Sequence, residues 1–67
     1  MVTRDKRNIG KIVKVVNGGA YTNKIGKVVG FRGDYDKNIP YVEVFIYDLH
    51  SKKGGVYPFA GNLLVQQ

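Results

Sequence analysis

A chain of 67 residues with eleven Lys and Arg against five Asp and Glu carries a net charge of +6 and a pI near 9.8. That length admits one small domain of marginal stability, because a short chain buries a small share of its surface. No cysteine is present, which excludes disulfides and zinc fingers, and one histidine, His50, cannot build a typical zinc site.

Residues 1–8 place Arg4, Lys6 and Arg7 beside Asp5 without apolar periodicity. They predict a basic N-terminal arm ahead of a domain over residues 9–67. The arm lacks the apolar core of a signal peptide. Residues 9–16 are rich in β-branched side chains and predict a first strand, with Val13 and Val15 on one face and Lys14 on the other. Asn17-Gly18-Gly19 interrupts it as turn residues do. A second strand is expected over residues 25–31, with Val28 inward and Lys27 and Val29 outward. Residues 32–38 read as a polar loop.

The clearest strand is 41–47: Val42, Val44 and Ile46 share one face, and Tyr41, Glu43, Phe45 and Tyr47 the other. The apolar stretch 39–47 is interrupted by Pro40 and Glu43 and falls short of the about 20 residues a membrane helix needs. The expected location is therefore cytoplasmic, or its organellar equivalent. Residues 51–55 read as a glycine-bearing hairpin turn. Residues 56–59 read as a short fourth strand, whose Pro58 belongs at a sheet edge. One tight helical turn over 60–63 and a closing strand, Leu64–Gln66, complete the chain. Short strands and Gly-rich turns with no long helical period predict an all-β domain.

The stretch Lys11-Ile-Val-Lys-Val-Val-Asn-Gly-Gly-Ala-Tyr-Thr-Asn-Lys-Ile-Gly-Lys-Val-Val resembles a KOW motif. Gly18-Gly19 sits at the loop opening, Tyr21 at the loop aromatic, Lys24 at the basic position, Gly26 at the fixed glycine and Val28 at a core position. Asn23 stands where many such loops have glycine, and asparagine is the best non-glycine residue for a left-handed backbone. Val56, Pro58, Asn62 and Leu63 resemble the closing segment of KOW-type SH3-like barrels. The resemblance implies a small five-stranded SH3-like barrel acting as a binding module in ribosomal or transcription-associated settings. Tyr21, Gly26, Val28, the aromatic strand 41–45, Gly55-Val56, Phe59 and Leu63 are also similar to the small basic SH3-like protein of photosystem I, which docks on a membrane complex. That protein's aromatic loop after the first strand is not matched by Asn17-Gly-Gly-Ala.

The residues point to binding rather than catalysis. Asp34 and Asp36 lie in a polar loop beside Arg32 and Lys37, as in a solvated turn. No nucleophile–base order is present, and the chain is not expected to be an enzyme or to need a cofactor, metal or small-molecule substrate. A strongly basic small domain attracts polyanions. Lys11, Lys14, Lys24, Lys27 and Arg32 are the candidate phosphate contacts for RNA or DNA, with Tyr21 as a base-stacking aromatic. Tyr35 is a lesser stacking candidate. Tyr41, Phe45 and Tyr47 form an alternative, aromatic surface for a protein partner, as in a small subunit of a larger protein or ribonucleoprotein assembly or a phage protein that blocks a host machine.

Overall fold

The computed structural model describes residues 2–32 and 41–67. Alternating β-branched residues build five antiparallel strands: β1 (Ile12–Val15), β2 (Ile25–Arg32), β3 (Tyr41–Asp48), β4 (Lys53–Ala60) and β5 (Leu64–Gln66). They form one sheet in the order β4-β3-β2-β1-β5. The inward positions are those expected: Val13, Val15, Val28, Val42 and Val44 are fully buried, and Ile46, Phe59, Leu64 and Val2 join them. The part of the expected polar loop that holds Asp34, Tyr35, Asp36 and Lys37 lies outside the described residues. No helix among the described residues is long and apolar enough to cross a membrane.

Ala60 ends one edge strand and Leu64 begins the other, so the 3-10 turn Gly61–Leu63 bridges the two edges. A flat sheet with about 4.8 Å between strands would hold those edges about 19 Å apart. Four residue steps reach at most about 14 Å when fully extended, and less in a 3-10 turn. The sheet is therefore curled, although no ladder joins β4 to β5.

Part of the curl is built into β2. Val28 pairs with Val44 and Gly30 with Glu43, so Val29 is an extra residue that makes a bulge. The bulge shifts the alternation by one. Gly26 and Val28 are inward before it, and Phe31, across from Val42, packs on the core after it. Simple period-two reading of residues 25–31 carries no sign of this shift.

Three other expectations change. The N-terminal segment is tied down: Val2 is only 3% exposed, and its N–H donates to the Gly61 carbonyl at 2.9 Å. Asp5 caps a 3-10 turn, Lys6–Asn8, by accepting from the Arg7 N–H. The Arg7 guanidinium bonds the same carboxylate and holds its pKa below the usual value. The first strand is shorter than residues 9–16, though Gly10 and Lys11 still exchange backbone bonds with Val28. The fourth strand is longer than residues 56–59: Gly54 and Gly55 belong to β4 and not to the turn. Aromatic rings explain why glycine sits there. A methyl on Gly54 would collide with the Phe45 ring, and one on Gly55 would lie 2.8 Å from the Tyr57 hydroxyl oxygen. Pro58, opposite Glu43, lies on an edge strand as its missing N–H requires.

The β1–β2 connection has its tight geometry from two residues. Gly19 opens the 3-10 turn Gly19–Tyr21 with φ +61°, and Asn23 closes the loop with φ +69°. The Asn23 N–H donates to the Val15 carbonyl at 2.7 Å, fixing the strand register. Asn23→Gly should leave the melting temperature nearly unchanged. Asn23→Val should destabilise by about 1–3 kcal/mol, because a β-branched residue resists this conformation. Equal melts for the two variants would contradict the left-handed assignment.

Candidate functional site

The register decides which of the candidate residues meet. On the sheet face opposite the core, Ile12 pairs with Lys27, Lys27 with Phe45, and Phe45 with Val56. Alongside this row, Lys14 pairs with Ile25 on one side and Val65 on the other. Tyr47 stands opposite Gly54. Ile12, Ile25, Phe45, Tyr47, Val56 and Val65 are each 40–49% exposed. The result is an outer face that is largely apolar, with two lysines set into it. Large exposed apolar patches are characteristic of binding surfaces.

Sequence reading separates the basic set from the aromatic set, but Lys14 and Lys27 share this face with Phe45 and Tyr47. Phe45 has a structural duty as well, since its ring covers Gly54 on the edge strand. Ile12, Ile25, Val56 and Val65 are additional members that charge and aromaticity alone do not mark. Ile12 and Ile25 are signalled by sharing alternation with Lys14 and Lys27. Val65 and Val56 become neighbours only through pairing across the sheet.

Other candidates are placed elsewhere. Arg32 donates to Glu43 at 2.9 Å, so each neutralises the other at the margin of the face. Gly30 leaves room for this pair: a methyl there would lie 3.2 Å from the Glu43 Oε1. Tyr41 pairs with Arg32 and Ala60 beyond that ion pair, apart from Phe45 and Tyr47. Lys11 borders a recess with Ile12, Gln66 and Gln67.

Tyr21 is built into the fold. Its ring centroid is 4.4 Å from that of Tyr57 and 6.0 Å from that of Phe59, the latter edge-on. The hydrogen bond with Tyr57 raises the Tyr21 phenol pKa, with burial adding to the effect. Tyr21 and Lys24 converge as expected, but in a hollow at the end of the sheet. Lys27 is on the outer face instead. Ile46 contributes to the hollow, and Asp48 at the end of β3, Ser51 in the β3–β4 turn and Lys53 at the start of β4 border it. Asp48 accepts from the His50 N–H at 2.9 Å. That bond is the main reason its carboxyl pKa is lowered, and Ser51 and the nearby Lys24 act in the same direction.

No protein-family model, curated protein or solved structure matches the chain.

Among the described residues, the ion pairs are Arg7–Asp5 and Arg32–Glu43. Asp48 is held by its own turn. The acids on the described surface are thus largely engaged, while Lys27 is exposed between Ile12 and Phe45 and Lys14 is half-buried between Ile25 and Val65. Such an arrangement supplies flat rings, apolar area and point positive charges.

Proposed function

We propose that the chain is a non-enzymatic binding module, of KOW-type SH3-like character, whose outer sheet face takes single-stranded nucleic acid. The observation that carries the reading is the direct pairing of Lys27 with Phe45 on an exposed face. Phosphates are neutralised by lysine, and unpaired bases stack on a neighbouring ring. The net charge of +6 steers polyanions toward a surface this small. Left-handed Asn23 and the one-turn link from β4 to β5 support the KOW-type barrel assignment. The Tyr21 ring packs on Tyr57 and Phe59 away from the outer face, whose stacking aromatics are Phe45 and Tyr47. A cytoplasmic or equivalent organellar setting suits such a partner.

Fluorescence anisotropy with labelled RNA and DNA oligonucleotides tests the reading. Binding should weaken steeply with salt, and Lys14→Gln with Lys27→Gln should reduce the slope of log K against log salt by about 1.4, at about 0.7 per phosphate contact on a single strand. Phe45→Leu keeps a side chain over Gly54 but removes the flat ring. It should cost about 1–3 kcal/mol of affinity, the worth of one stacked base. Absence of binding to either polymer at low salt would sink the proposal.

The aliphatic share of the face, from Ile12, Ile25, Val56 and Val65, favours a second reading as a protein-docking surface. Pull-downs with and without nuclease separate the two. Partners retained after nuclease, and lost with Phe45→Leu, would support docking.

A further inference from the structure

The hollow at the end of the sheet differs chemically from the outer face. Its volume is about 430 Å³, within the range of small-ligand sites and larger than a bare phosphate requires. Buried Ile46 and the Tyr21–Tyr57 pair supply apolar and aromatic walls. Lys24 and Lys53 approach from different elements, the β1–β2 loop and the start of β4. Neither lysine has an ion pair among the described residues.

The one acid at the rim, Asp48, is already occupied. It accepts from His50 and Ser51 and lies across the ladder from Lys53. Two cations against one engaged carboxylate leave an excess of positive charge. Two phenols that share one hydrogen bond also retain a further O–H donor. A ligand that combines a planar ring with a phosphate dianion satisfies both parts of this lining: the ring on the tyrosine wall, the phosphate on the lysines.

We propose that this hollow binds a nucleoside monophosphate group, either as the free nucleotide or at the phosphorylated end of a strand. The second source rests on the nucleic-acid reading of the outer face; the first does not. A route between the surfaces exists. Lys24 and Asp48 also border a neighbouring recess that contains Ile25 and Tyr47 of the outer face. A strand lying across that face reaches the hollow over this shared rim.

Amide chemical shifts recorded during titration with adenosine 5′-monophosphate, and separately with adenosine, provide the test. The monophosphate should move the amides of Tyr21, Lys24, Ser51 and Lys53, and adenosine should bind at least about tenfold more weakly, as loss of charge-assisted bonds to lysine implies. Lys24→Gln combined with Lys53→Gln should weaken the monophosphate by a similar factor, with the thermal melt unchanged because both side chains are exposed. Oligonucleotides with and without a terminal phosphate identify the source. A gain from the terminal phosphate that the double variant removes assigns strand ends; the same affinity for both oligonucleotides, with monophosphate binding intact, assigns the free nucleotide.

Absence of shifts at those amides with millimolar monophosphate would overturn the proposal. So would shifts confined to Lys14, Lys27 and Phe45, which would place the ligand on the outer face. Failure of oligonucleotide binding alone would count against the outer-face reading, leaving the monophosphate titration to decide the hollow.

Discussion

Val44→Asp is expected to abolish folding. Val44 is fully buried at the centre of β3, between Val28 of β2 and Tyr57 of β4. An unpaired carboxylate there costs several kcal/mol. At about 0.05–0.15 kcal/mol per residue, a domain of this length has only about 3–10 kcal/mol of stability. The loss therefore consumes most or all of it. Circular dichroism should show loss of the β spectrum and of a cooperative melt. Val65→Asp makes the same chemical change on an exposed position of β5 and should remain folded. A Val44→Asp protein that melts like the parent would show that this face of β3 is not the core.

Gly26→Val is the second large effect, and it acts through space instead of charge. A methyl on Gly26 would lie 2.5 Å from Val44 Cγ1 and 2.6 Å from the Phe45 carbonyl oxygen. The valine can turn aside; the carbonyl cannot move without separating β2 from β3. Overpacking alone costs about 1–3 kcal/mol, and opening the ladder adds to it. A loss of about 3 kcal/mol corresponds to a fall in Tm of about 12–24 °C for a domain of this size. Gly19→Ala is the informative comparison. No atom lies within 4 Å of a methyl there, so its cost comes from φ +61° alone. That cost is about 1–2 kcal/mol. Scanning calorimetry should rank Gly26→Val as the more damaging. The reverse order would mean that β2 and β3 approach less closely than described.

These two positions also bear on how the outer face is held. Lys27 and Phe45 meet because β2 and β3 pair closely at Gly26 and Val28. Loosening that pairing should therefore disturb the surface even in a variant that remains partly folded.

Local alternation by itself determined the inward residues of β1, β2 and β3, since a strand's period of two assigns Val13, Val15, Val28, Val42, Val44 and Ile46 to one side. It also placed Lys14, Lys27, Phe45 and Tyr47 outward, while the left-handed backbone at Asn23 was expected from the resemblance to a KOW loop, which often has glycine there, and from asparagine's tolerance of that conformation. Tertiary structure decided what sequence distance hides. The bulge at Val29 moved Phe31 to the core, and Gly54 and Gly55 entered β4, where the Phe45 and Tyr57 rings occupy the space a side chain would need. Val2 joined the core through a backbone bond to Gly61, near the other end of the chain. Tyr21 was packed against Tyr57 and Phe59 at the end of the sheet, and Arg32 was neutralised by Glu43. Most of these outcomes depend on how segments separated along the chain meet in space, and not on local pattern. For the same reason the basic and aromatic candidates, separate along the chain, became one surface only when Lys27 was set against Phe45.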